Sequence, residues 1–171
     1  MTARRTLLTL AAFLPFLAAG CAVAPANARR WRGRFAFSAE LEGGAERQSG
    51  RFELTDSREL LRLDLLTPLS GILARIEETP RGASFSRGGT DEPVVAADLD
   101  ELLMRLLGFT LPVRELRDLL AAGPAAPDAL EADGWRCRIL ARRADGSAKR
   151  LRIERAAGPR MTLTAVTDDD D

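Results

Sequence analysis

From Arg34 the chain alternates between apolar and polar positions. In RFAFSAEL, Phe35, Phe37, Ala39 and Leu41 fall on one side, with Arg34, Ser38 and Glu40 on the other. A period of two with one apolar side predicts a half-buried antiparallel strand. Gly43-Gly44 marks a turn, and RFEL repeats the pattern with Phe52 and Leu54 opposite Arg51 and Glu53. LRLDL sets Leu61, Leu63 and Leu65 against Arg62 and Asp64, and ILARIEE and GASFSRGG continue as strand segments. Near the C-terminus, WRCRIL puts Trp135, Cys137 and Ile139 opposite Arg136 and Arg138. KRLRIER then aligns Leu151 with Ile153, and RMTLTAV aligns Met161, Leu163 and Ala165. Asp145-Gly146 and Gly158-Pro159 supply the turns between these last strands.

The period changes in the middle. DLDELLMRLLG carries Leu99, Leu102, Leu103, Leu106 and Leu107 at helical spacing, with Asp98 as N-cap, Glu101 three residues on and Gly108 as the stop. LPVRELRDLLAAG predicts a second helix, with Pro112 in its first turn, Val113, Leu116 and Leu120 on its apolar side and Gly123 at its end. PAAPDA is a loop. The order is therefore strands, two or three helices, then strands: an α+β chain whose strands all carry one apolar face. Two short amphipathic helices leave two architectures open. One is a compact α+β core, which the pattern by itself favours; the other is an apolar concavity, incompletely covered and suited to lipid.

The first twenty residues fall outside this pattern. Arg4 and Arg5 precede an apolar run from Leu7 to Ala19, interrupted by Pro15, and small residues lead to Cys21. That is the layout of a secretory signal, too short for a spanning helix. Leu17-Ala18-Ala19-Gly20-Cys21 is similar to a lipoprotein signal, with its leucine one place further from the cysteine than in the most familiar form. The alternative is an ordinary signal cut near Ala19. On the first reading residues 1–20 are removed and Cys21 carries a diacylglycerol and an N-acyl chain. Several acyl chains hold a protein stably where one does not. Residues 21–30 then form a short tether, 31–167 the folded domain and 168–171 an acidic tail. Ala22 in place of an aspartate after the lipidated cysteine implies, by resemblance to lipoproteins in general, sorting to the outer membrane.

Charge and chemistry narrow the function classes. The chain balances 25 basic against 25 acidic residues, so nucleic acid is not an implied partner. Histidine and tyrosine are absent, and Cys137 is the single thiol beyond Cys21. Histidine triads and thiolate metal cages are thereby excluded. Cys137, between Trp135 and Ile139 on an apolar strand face, reads as core. No glycine-rich phosphate loop appears, and carboxylate neighbours such as Glu77-Glu78 and Asp91-Glu92 single out no catalytic pair. Neither an enzyme, a metal site nor a cofactor is expected.

One stretch breaks the strand grammar. LDLLTPLSGIL, residues 63–73, places Leu69 between Pro68 and Gly71, where a turn ordinarily carries polar residues. In order along the chain come the lipoprotein signal, RGRFAF at 32–37, LLRLDLLTPLSG at 60–71, LLMRLLGFTLPVRELRDLL at 102–120 and DGWRCRIL at 133–140. This ordered set resembles the LolB family, outer-membrane lipoproteins that accept other lipoproteins from the periplasmic carrier LolA and insert them into the outer membrane. The resemblance implies an open, strongly curved antiparallel sheet, a half barrel, with helices as a lid over an apolar cavity. It also implies a protruding loop whose exposed leucine helps push acyl chains into the bilayer, here Pro68, Leu69 and Gly71. Ser70 is inserted before Gly71, so Leu66 is a second candidate for that role. Leu119 stands where the family's second helix commonly has tryptophan, and the chain ends in AVTDDDD in place of a tryptophan-bearing segment.

On this reading the inward faces line the acyl cavity: Phe35, Phe37, Phe52, Leu54, Leu61, Leu63, Trp135, Ile139, Leu151 and Ile153 from the sheet, and Leu99, Leu102, Leu103 and Leu106 from the lid. The expected partners are a periplasmic carrier of the LolA type, acylated lipoprotein cargo and outer-membrane lipid, with the chain itself a monomer. Two alternatives remain: a periplasmic carrier of the LolA type, and a structural envelope lipoprotein of the same fold. Arg136, Arg138, Arg142 and Arg143 suggest either a basic patch for an acidic carrier or a solvated strand face.

Overall fold

A computed structural model describes residues 27–41, 43–67, 71–88, 92–155 and 158–168. Cys21, Pro68 and Leu69, singled out above, lie outside the described residues. The chain forms β1 (Arg29–Leu41), β2 (Gly44–Asp56), β3 (Leu61–Leu66), β4 (Ile72–Thr79), β5 (Gly82–Arg87) and β6 (Val94–Ala96). Two helices follow, α1 (Leu99–Leu107) and α2 (Val113–Ala121). Then come β7 (Ala129–Ala132), β8 (Trp135–Arg142), β9 (Ala148–Arg155) and β10 (Met161–Thr167). All ten strands join one antiparallel sheet in the order β6-β5-β4-β3-β2-β1-β10-β9-β8-β7. Its edge strands β6 and β7 do not pair, so the sheet stays open, as an α+β half barrel does. Arg29 and Arg30, assigned above to the tether, are the first residues of β1, opposite Asp56 and Thr55.

The topology dictates where the helices go. The chain leaves the sheet at one edge and must re-enter at the other, so the β6–β7 connection has to cross a face. The alternation selects the face. Register carries the concave side from Leu54 and Phe52 to Leu63 and Leu65, and from Leu63 to Ile76 and Phe85. On the other half it runs from Phe37 to Leu163 and Ile153. α1 lies on β5 and β6, and α2 on β8 and β9. The shared core includes Leu54, Leu99, Leu102, Leu103, Cys137 and Leu151, all almost fully buried.

Curvature has a local cause at the centre of the sheet. Gly33 pairs with Phe52, and Phe35 pairs with Gly50. Each ring covers the glycine opposite, and a methyl group on either glycine would run into a neighbouring strand's carbonyl oxygen: Val166 for Gly33, Leu66 for Gly50. Glycine permits that close approach. The convex side is held by direct cross-strand ion pairs. Asp64, almost buried, takes both Arg75 contacts at 2.6 and 2.9 Å, and Arg62 meets Glu77 beside it.

α1 starts and stops as its sequence requires. The Asp98 carboxylate accepts from Glu101 N–H at 2.8 Å, and the Glu101 carboxylate accepts from Ala97 N–H at 3.1 Å, a reciprocal cap. Gly108 closes the helix in the left-handed region at φ 74°, its N–H donating to Met104 O. In α2, Pro112 occupies the N-cap position, and Leu119 is buried with Val113, Leu116 and Leu120.

Candidate functional site

The helices do not fill the concave face. A cavity of about 250 Å³ remains between the sheet and the segment joining α1 to α2. Its sheet wall is Phe35, Phe37, Leu63, Leu65, Leu73, Ile76, Trp135, Ile153 and Leu163. Its roof is Leu107, Phe109, Leu111, Pro112, Val113 and Leu116. Among the described residues, Gln48 is the single polar one in the lining. Leu73 is re-aimed by a bulge: register shifts between Leu65 and Leu66, so β4 carries one extra residue there.

The roof runs from the last residue of α1 through the connecting segment into the first turn of α2, and it is tied to the wall. The Trp135 indole N–H donates to Thr110 O at 2.9 Å, which leaves the ring as a carbon surface toward the cavity. Phe109 packs 6.2 Å from the Trp135 ring centre, and the Arg155 guanidinium sits 4.5 Å over the Phe109 ring. At the far side Glu78 bridges both helices, accepting from Leu99 N–H at 3.4 Å and from Arg114 at 2.7 Å. Arg114 also donates to Asp100 at 2.9 Å. That bond first, and the one to Glu78 after it, raise the Arg114 pKa against the opposing effect of burial.

Of the residues expected to line a cavity, Phe35, Phe37, Leu63, Trp135 and Ile153 do so. Phe52, Leu54, Leu61, Ile139 and Leu151 share their face but are buried in the protein interior. Leu99, Leu102 and Leu103 seal α1 against β5 and β6, and Leu106 packs on that core half-buried, so these four leucines plug one end and Leu107 is the α1 residue that reaches the roof. Leu65, Ile76, Leu163, Val113 and Leu116 were on apolar faces legible in the sequence but unassigned to a cavity. Phe109 and Leu111 had only one signal, apolar residues in a non-periodic segment. Gln48 had none.

Other candidates resolve differently. Arg142 donates to Gly123 O, Gly146 O and Ala126 O and pairs with Asp128, and Arg143 donates to Ala148 O and Thr167 O. Arg136 pairs with Glu131, and Arg138 with Glu154. The four arginines are thus engaged within the fold, not set out as a free basic patch. Cys137 is fully buried, and burial, followed by the Glu115 carboxylate, pushes its thiol up to about 11. At the irregular stretch, Thr67 N–H donates to Gly71 O at 2.8 Å and Gly71 N–H donates to Thr67 Oγ1 at 3.1 Å, closing the base of the loop. Leu66 is half-buried beside that base, and Ile72 is exposed.

An open antiparallel sheet of half-barrel form, crossed by two helices above a carbon-lined hollow, defines the α+β half-barrel class. The sequence gives the particular family. Residues 27–154 match the model of the family described as outer membrane lipoprotein LolB, and the chain belongs to that family. It is 33% identical to outer-membrane lipoprotein LolB of Cupriavidus pinatubonensis, over 93% of this chain and 91% of that one. It is 35% identical to the LolB of Bordetella petrii over 76% of each chain, and 29% identical to that of Ralstonia nicotianae over 83% of each.

Proposed function

We propose that this chain is an outer-membrane lipoprotein, anchored through acylated Cys21, that takes lipoproteins from a periplasmic carrier and inserts them into the outer membrane. The observation that carries the reading is the cavity: among the described residues fifteen apolar side chains and one amide line it, under a roof supplied by the α1–α2 segment and the helix ends beside it. Each methylene of an acyl chain moved out of water is worth ~0.8 kcal/mol. A carbon-lined hollow is therefore a station for chains that cannot cross water unaided. The α1–α2 segment acts as the lid, since it covers the hollow and its tie to the wall is made by side chains, the Trp135 hydrogen bond to Thr110 O and the Phe109 contact.

Direction comes from differences in affinity: the cavity holds the chains better than the carrier does, and the bilayer holds them better than the cavity. The 67–71 loop is the delivery element. Its base is closed by the Thr67–Gly71 hydrogen bonds, and exposed Ile72 adds apolar surface beside it. Leu69, which the sequence sets between Pro68 and Gly71, is the residue that enters the bilayer, and Leu66 supports it. The protein works as a monomer.

The test is transfer of a labelled lipoprotein from a loaded carrier to the purified chain, followed by its appearance in liposomes. Wild type accepts and releases cargo. Leu69→Glu accepts cargo but inserts it at least about tenfold more slowly, since a charge in the bilayer interior costs several kcal/mol. Failure of the wild type to take cargo sinks the receptor reading. Normal insertion by Leu69→Glu sinks only the role of the loop.

A further inference from the structure

The cavity differs from end to end. Val113, Leu116, Trp135 and Ile153 are buried, whereas Leu107 and Gln48 are exposed. The buried group, from wall and roof, forms its inner end, and the exposed pair marks its mouth. The Gln48 side chain makes no hydrogen bond with any described residue. Its position follows from the sheet. It pairs with Phe37 on the concave side, and β3 covers only the Arg51–Asp56 half of β2. Among the described residues, the Gly44–Gly50 half is an open edge on that flank. An amide there stands at the water line of an otherwise carbon-lined hollow. An amphiphile whose chain fills the hollow brings its first oxygen to that line, because a carbonyl buried deeper would lose its hydrogen bonds to water.

We infer that Gln48 is the head-group contact of the cavity. Acyl ligands enter tail first, with the chain end toward Trp135 and the ester or amide carbonyl accepting a hydrogen bond from the Gln48 side-chain NH₂. The inference rests on the acyl-cavity reading above and adds to it an orientation and a chemical selectivity. Acyl ester chemistry is shared by an acylated cysteine and a phospholipid.

The test uses Trp135 fluorescence in a Trp31→Phe background, where Trp135 is the sole indole. The full chain is titrated with decane and with methyl octanoate, each delivered from cyclodextrin. Gln48→Leu is expected to weaken the ester about three- to tenfold and to change decane less than about twofold. Equal loss for both ligands, or no loss for the ester, overturns the inference. Absence of decane binding to the parent protein is a separate outcome, which overturns the acyl-cavity reading itself. Orientation is read with brominated esters: bromine at the chain end quenches Trp135 more than bromine beside the carbonyl, and the reverse order overturns tail-first entry. Repeating the comparison with a palmitoylated cysteine peptide and a dipalmitoyl phospholipid identifies the source. Gln48→Leu weakening the peptide assigns the contact to cargo, weakening the phospholipid assigns it to membrane lipid, and weakening neither overturns it.

Discussion

Two glycines and one cysteine illustrate how single positions govern this molecule. Gly33 and Gly50 each lie under the phenylalanine opposite, with a neighbouring strand's carbonyl oxygen where a methyl group would go. Gly33→Ala and Gly50→Ala should each lower stability by about 1–3 kcal/mol, the usual range for overpacking. Urea denaturation checks this, and unchanged midpoints would remove the glycines from the account of curvature. Cys137 makes a pH prediction. Its thiol is moved from the ordinary 9.0 to about 11, so the unfolded chain releases the proton first as pH rises. Stability is therefore intact below pH 9.0 and falls between there and about 11, where the folded thiol also ionises. Cys137→Ala should flatten that alkaline decline, as read from denaturation midpoints across the window. The cysteine's burial was legible from its place between Trp135 and Ile139. The glycines' role was not, because a strand pattern registers side chains and these positions act by lacking one.

Elements with strong periodicity were readable, and those without it were not. α1 followed from leucine spacing, Asp98 and Gly108, and the structure builds each of these as its sequence demands. Asp98→Ala should cost about 1 kcal/mol, the usual worth of an N-cap, measurable by thermal melting. β6 and β7 escaped notice: Val94–Ala96 and Ala129–Ala132 are too short to display an alternation. The cavity roof escaped for a related reason. Phe109 and Leu111 lie in a connecting segment, and only tertiary placement over Trp135 gives them a role. Leu99, Leu102, Leu103 and Leu106 of α1, expected over the cavity, pack in or on the shared core, and Leu107 is the α1 leucine that lines the hollow, since periodicity marks what is buried but not what buries it. Trp135→Phe keeps an aromatic wall while deleting the hydrogen bond to Thr110 O. Residues 108–111 should then exchange amide hydrogens faster, with a global loss of about 1 kcal/mol. Unchanged exchange there would mean the roof is held by packing alone.

At the scale of the whole molecule, openness is the property that matters. The central β1–β10 pairing joins the two ends of the chain, while the edges β6 and β7 remain apart and the helices span between them. A closed barrel would trap an acyl chain, and a filled core would refuse it. On the function proposed above, a half barrel roofed by the α1–α2 segment accepts a chain and can give it up. The LolB relationship and the carbon-lined hollow converge on that use. The most direct measurement is photo-crosslinking from a lipoprotein whose acyl chain carries a diazirine, loaded onto the folded protein and mapped by mass spectrometry. The account predicts crosslinks at lining residues such as Leu65, Phe109 and Leu116. Crosslinks confined to the outer surface, for instance at exposed Val95, would contradict it.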